Sequence, residues 1–132
     1  MNAVVRAFMN RVLGRDGERA AERFLKRKGM RVLRRNYHAP SGEIDLIVRD
    51  GDTLVFVEVK ARRQGVPAEA VTPEKERRIT LAALHFLRRY HALEVRSRFD
   101  IVAVVWPVGM RSPIIEHFPN AFEAVGFGQM FR

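Results

Sequence analysis

Gly42-Glu43-Ile44-Asp45-Leu46-Ile47-Val48-Arg49-Asp50-Gly51-Asp52-Thr53-Leu54-Val55-Phe56-Val57-Glu58-Val59-Lys60 is the stretch on which the fold turns. Both halves alternate with period two, the mark of strands. The Asp50-Gly51 between them is a hairpin signal. Asp45, Glu58 and Lys60 interrupt runs that otherwise read as buried strand. Buried charge costs roughly several kcal/mol per ion unless compensated. These three charges therefore have to pair with one another or with a ligand.

The length of the turn decides which charges meet. With Asp50 opposite Thr53, Asp45 falls opposite Glu58 and Glu43 opposite Lys60. A two-residue loop at Asp50-Gly51 shifts the pairing by two and keeps the faces, whereas a three-residue loop separates the acids. An even loop is expected, with Asp45 facing Glu58. Directly opposite Cβ atoms lie about 4.5–5.5 Å apart, so two carboxylates there call for a cation. Hard oxygen ligands suit Mg²⁺ or Mn²⁺. Lys60, one strand period from Glu58, is placed to orient a water or to stabilise charge on a phosphoryl group. A plain acid–lysine salt bridge on an exposed sheet face is the structural alternative, and the strongly apolar flanks argue against it. Only four of the 24 cationic residues are lysines. A compact ammonium suits water positioning, while the planar fork of arginine suits phosphate clamping.

The chain has 132 residues, 47% of them hydrophobic, which is enough for one domain with a core. Its formal net charge of +9 points to a polyanionic partner such as nucleic acid. With no cysteine there is no disulfide framework and no thiolate zinc site, and cytoplasmic residence is the expectation. No apolar run is long enough to span a membrane. Val4, Val5, Phe8, Met9, Val12 and Leu13 form a helical stripe, read as an amphipathic N-terminal extension over residues 1–13. That stripe can pack on its own domain or on a partner chain, including a second copy in a homodimer.

Asp16 or Gly17 begins a helix that Gly29 stops after Lys28. Glu18 lies nearer than Glu22 to the centre of its apolar stripe of Ala21, Phe24 and Leu25, so Glu18 is the acid expected to look toward the sheet. Met30 to Tyr37 reads as the first strand, and the hairpin supplies two more. Arg62 to Thr72 reads as a loop. Thr72 as N-cap and Pro73 at the first helical position open a helix to about Tyr90. Lys75 sits on its buried side, one turn before Ile79. Lys75, Arg62, Arg63, Arg77 and Arg78 are candidates to bind nucleic acid, with Arg88 and Arg89 further along the helix also able to grip phosphates. Arg98 to Trp106 is a buried strand, Ile114 to Phe118 a short final one, and the chain after Pro119 a helical turn followed by a tail over 125–132. The order αβββαβ, with a helix long enough to cross between the third and fourth strands, implies an α/β domain with a mixed central sheet flanked by helices.

An acid followed after some ten to twenty residues by Glu-x-Lys on a neighbouring strand resembles the PD-(D/E)-x-K nuclease superfamily, with Asp45 and Glu58-Val59-Lys60 as the matching residues. The longer series is more specific: Gly17-Glu18, Gly42-Glu43-Ile44-Asp45-Leu46-Ile47, Val55-Phe56-Val57-Glu58-Val59-Lys60, Val71-Thr72-Pro73-Glu74-Lys75, Arg98-Phe99-Asp100 and Asn120-Ala121-Phe122. Over residues 14–124 it resembles the bacterial YraN family of endonuclease-like proteins, similar in fold to archaeal Holliday-junction resolvases. The resemblance implies a restriction-endonuclease-like core, a single nuclease-like domain over 14–124, and Glu18 as the acid that the first helix contributes. The expected activity is metal-dependent endonucleolytic hydrolysis of nucleic-acid phosphodiesters, with DNA as the expected partner and branched or structured DNA among the substrates the resemblance implies. Asp45, Glu58 and Glu18 would hold Mg²⁺ or Mn²⁺, Lys60 would position water, and Glu43 would support them. Two alternatives stay open: a catalytically silent nucleic-acid-binding module of the same fold, and an interaction protein that uses the N-terminal stripe.

Overall fold

The computed structural model describes residues 2–124. Its elements are α1 (Ala3–Arg27), β1 (Arg31–Ala39), β2 (Gly42–Asp50), β3 (Thr53–Arg63), α2 (Pro73–Arg89), β4 (Ser97–Trp106) and β5 (Ile114–Phe122). The five strands form one sheet in sequence order, β1-β2-β3-β4-β5. The pairs β1–β2, β2–β3 and β4–β5 are antiparallel, while β3–β4 is parallel. The parallel pair follows from the connection: a parallel neighbour needs a crossover, and α2 provides it. This is the mixed α/β architecture expected, and it is consistent with a restriction-endonuclease-like core.

The two helices cover opposite faces. Ile79, Ala83, Phe86 and Leu87 of α2 pack with Tyr37, Ile47, Phe56 and Phe99. Ala20, Ala21 and Leu25 of α1 pack with Leu46, Val48, Val55, Val57, Val102 and Val104. Along β3, Leu54 and Phe56 belong to the first cluster, and Val55, Val57 and Val59 to the second. This is period-two alternation with an apolar layer on each side. The hairpin pairs Asp50 with Thr53 and Arg49 with Leu54, leaving Gly51-Asp52 as the two-residue loop. Gly51 takes a positive φ of 62° there, as such a turn requires. Thr72 caps α2, its hydroxyl accepting the Lys75 N–H at 3.2 Å, and Pro73 opens the helix.

Two elements differ from expectation. The N-terminal stripe and the helix expected from Asp16 are one continuous helix, capped by Asn2, whose side chain accepts the Val5 N–H at 2.9 Å. Met9, Leu13, Gly17, Ala21 and Leu25 lie in one i, i+4 row, so the stripe stays in phase and nothing stops the helix between its halves. Strand β5 runs on to Phe122 in place of a helical turn after Pro119. Its register jumps from Ile101–Phe118 to Phe99–Phe122, and Asn120 takes a φ of 51° in the irregularity. The buried Asp100 carboxylate accepts the Asn120 N–H at 2.9 Å, and Phe122 stacks on Phe99 at 4.9 Å between ring centres. A side chain thus replaces the lost ladder bond. The tail expected over 125–132 lies outside the described residues. Among the described residues, no helix is long and apolar enough to cross a membrane.

Candidate active site

The ladder between β2 and β3 runs from Asp50–Thr53 to Leu46–Val57. One residue further along both strands stand Asp45 and Glu58. There the Asp45 side chain takes over from the backbone, its Oδ2 accepting the Val59 N–H at 2.8 Å. The two acids mark the point where the strands part. Glu58 is only 6% exposed, and its Oε1 lies 3.2 Å from Nζ of Lys75, in the first turn of α2. Lys60 follows on β3, within hydrogen-bonding reach of Lys75. Glu18 enters from α1. Glu18, Asp45, Glu58, Lys60, Arg62 and Lys75 share one cleft of about 730 Å³.

Gly17 explains how α1 delivers Glu18. A Cβ at Gly17 would sit 2.5 Å from the Cβ of Ala61 on β3. Glycine therefore allows the helix to lie against β3 beside the two acids, which outweighs its roughly 1 kcal/mol helix penalty.

Asn36 on β1 joins the group without having been anticipated. With its amide oriented to meet both acceptors, its nitrogen donates to Glu18 Oε1 at 2.6 Å and to Glu43 Oε1 at 3.0 Å. Its φ is 49°, a left-handed conformation that asparagine tolerates better than other side chains. The signal was an uncharged amide inside an otherwise basic and aromatic strand, Arg34-Arg35-Asn36-Tyr37. Arg6 is a further member that the sequence pattern does not single out. It lines the cleft together with Asn10, Gly14 and Glu18, an i, i+4 row that becomes visible once α1 is one helix.

Glu43 departs from expectation. The even turn predicts it opposite Lys60, but the β2–β3 ladder ends before reaching it. Its partners are Asn36 and, across β1, His38, whose Nε2 stands 3.9 Å from Glu43 Oε1. The parting of the strands is the physical reason. Of the arginines, Arg62 and Arg63 border the cleft, and Arg62 also donates to the Val66 carbonyl at 2.9 Å. Arg77 and Arg78 are exposed on α2 and do not line the cleft; Arg78 pairs with Glu74 at 2.8 Å.

The electrostatics show an acid cluster short of positive charge. The Asp45 carboxyl is pushed up to about 8, first by burial and then by Glu58, with Glu18 and Glu43 adding to it and the Val59 N–H opposing. Glu18 is raised by burial and by the Glu43 and Glu58 carboxylates. Lys60 is lowered by burial and by the neighbouring Lys75 ammonium. Burial also pulls Lys75 down, but Lys60 as hydrogen-bond acceptor and Glu58 as counter-ion outweigh it, so Lys75 holds its proton more firmly. No three acidic or histidine side chains among the described residues converge into a ready-made cage. A Mg²⁺ site does not need one, because that ion keeps several waters and takes one or two carboxylates. Asp45 and Glu58 fit that requirement, each spending a single oxygen on the contacts above.

A second polar cluster stands apart from this site. Asp100 is fully buried and accepts from Arg98 Nε at 3.0 Å, His117 Nε2 at 2.7 Å and the Asn120 N–H. The other ring nitrogen of His117 meets Lys28 Nζ at 2.9 Å, which requires the Nε2–H tautomer. The cluster pins β5 and the end of α1 to β4.

Residues 17–104 match the model of a family described as uncharacterised protein family UPF0102. A UPF0102 protein of Geobacter sulfurreducens is 48% identical over 117 residues, covering 86% of this chain and 91% of its own. One from Rhodococcus opacus is 48% identical over 116 residues, 86% of this chain and 98% of its own. One from Pelotomaculum thermopropionicum is 44% identical over 115 residues, 85% of this chain and 96% of its own. Glu18, Asn36, Asp45, Glu58, Lys60 and Lys75 all fall within the span matched by the family model.

Proposed function

The chain belongs to the UPF0102 (YraN) family, and we propose that it is a metal-dependent endonuclease that hydrolyses nucleic-acid phosphodiester bonds. The observation that carries this reading is that Asp45 and Glu58 stand side by side one residue past the last β2–β3 pair, in a cleft they share with Lys60 and Glu18. Glu58 is buried and paired with Lys75, while the half-buried Asp45 beside it accepts only the Val59 N–H and has its carboxyl pushed up to about 8, a state that a bound cation would relieve. The mouth of the cleft carries Arg6, Arg62 and Arg63.

Asp45 and Glu58 would hold Mg²⁺ or Mn²⁺, with Glu18 reaching the ion through a water. The bound ion would polarise the phosphoryl oxygen and lower the pKa of a bound water. Lys60 orients that water from the strand face it shares with Glu58. Burial and the neighbouring Lys75 lower its proton affinity. Asn36 fixes the Glu18 carboxylate. The arginines at the rim attract the phosphate backbone without reading sequence, an attraction that weakens steeply with salt. The net charge of +9 favours the same partner.

The test is a cleavage panel of single-stranded, flapped and four-way DNA, incubated with Mg²⁺, with Mn²⁺ and with EDTA. Metal-dependent cleavage of at least one substrate is expected. Binding without cleavage in either metal would favour a silent binding module.

A further inference from the structure

Lys75 occupies an unusual place for a cation. It lies in the first turn of α2, where the helix dipole favours negative charge, and the other charged residues of that turn are Glu74 and Glu76. What holds it there is Glu58: Lys75 Nζ stands 3.2 Å from Glu58 Oε1, and the carboxylate side chain is 8% exposed against 36% for the lysine. The lysine backbone is fixed as well, through its N–H bond to Thr72. The cation balancing Glu58 therefore comes from α2, although Lys60 stands two residues away on the same strand.

We infer that Lys75 is the resting counter-ion of Glu58, and that a divalent cation binding at Asp45 and Glu58 displaces it. The inference rests on the metal-binding reading above and adds an order of events. Glu58 Oε1 cannot keep both partners at full strength, because a divalent ion on the same carboxylate repels the ammonium. Once released, Lys75 remains tethered at the N-terminus of α2, beside Lys60 and facing the cleft. It then adds one cation to the substrate-binding surface after the metal has arrived. In the absence of metal the same ammonium is neutralised by Glu58 and contributes little to phosphate binding. Lys75 is thus a positioning residue that couples metal occupancy to nucleic-acid affinity.

Two measurements on the full chain test this. Calorimetric titration of Mn²⁺ alone compares the wild type with Lys75→Met, Lys75→Gln and Lys75→Arg. Removing the competing ammonium should tighten Mn²⁺ binding about tenfold in the Met and Gln variants, equivalent to about 1.4 kcal/mol, and leave the Arg variant within about twofold of wild type. The second measurement is the salt dependence of single-stranded DNA affinity, with Ca²⁺ as the divalent ion and the DNA checked for intactness afterwards. The slope of log affinity against log salt should be steeper by about one phosphate contact in wild type than in Lys75→Met when the metal is present, and equal in EDTA. Unchanged or weaker Mn²⁺ affinity in both Met and Gln variants, with wild type binding normally, would overturn the exchange alone. A slope difference already present in EDTA would do the same. Failure of the wild type to bind Mn²⁺ at all would overturn the metal site itself and the exchange with it.

Discussion

The carboxylate of Asp45 accepts the backbone N–H of Val59 at 2.8 Å, one residue beyond the last β2–β3 pair. One side chain thereby ends a strand pairing and satisfies a backbone donor that the parted strands leave behind. It also stands beside Glu58. The architecture of the site and its electrostatic tension have the same origin: the strands separate where their sequences turn acidic.

That tension sets a pH dependence. The Asp45 carboxyl is raised to about 8 in the folded protein, against about 3.9 in an unfolded chain. Between those values the folded state binds more protons than the unfolded state, so stability falls as pH rises. In EDTA, thermal denaturation should give a melting temperature that declines from pH 5 to pH 8. Asp45→Asn, which keeps an oxygen for the Val59 N–H, should flatten that decline and be more stable at pH 8 by on the order of 2 kcal/mol. A wild-type melting temperature that climbs across this window would contradict the assignment.

Gly17→Ala would normally favour a helix by about 1 kcal/mol. Here the added Cβ meets Ala61 at 2.5 Å, and overpacking of this kind costs about 1–3 kcal/mol. The expected outcome is the helix gain cancelled or outweighed, a net loss of up to about 2 kcal/mol in urea denaturation. Activity should fall by more than the unfolded fraction explains, because α1 and Glu18 are pushed off the cleft.

Asp100→Asn should destabilise without touching the cleft. The carboxylate is fully buried and receives Arg98, His117 and the Asn120 N–H. An amide would turn a donor toward a donor, at a cost of about 2–4 kcal/mol. Hydrogen exchange should show β5 losing protection first, while Mn²⁺ affinity of the folded protein stays within about twofold of wild type.

Asn36→Ala removes the amide between Glu18 and Glu43, leaving two carboxylates to face each other without a donor. Turnover should drop about tenfold, in line with the loss of a residue that orients a metal-site carboxylate. Asn36→Asp should lose more, because it adds a third negative charge. The ratio of the two rates, measured in one cleavage assay, distinguishes orientation by hydrogen bonding from simple space filling.

Much of this was legible in the sequence for identifiable reasons. Period-two alternation on either side of Asp50-Gly51 led to the hairpin and its register, and the length of the Pro73 helix led to the parallel β3–β4 pair. Asp45, Glu58, Lys60, Lys75 and Glu18 do share one cleft. What escaped depended on tertiary contact. Asp16 or Gly17 reads as a helix start until Ala61 is known to lie against Gly17 inside one continuous helix. Strand parting moved Glu43 away from Lys60, and no local pattern signals parting. Asn36 has a role only because α1, β1 and β2 converge on it. The β5 irregularity is held by Asp100, twenty residues from Asn120, at a distance in sequence that periodicity does not reach.

The most direct test of the central claim is Mn²⁺-dependent cleavage of labelled DNA by wild type and by Asp45→Asn, with DNA affinity measured on the same preparations. The account predicts that the substitution abolishes cleavage, by about 10³-fold or more for a metal-holding carboxylate, while affinity in the absence of metal changes by less than about threefold. Cleavage by Asp45→Asn at the wild-type rate would contradict it.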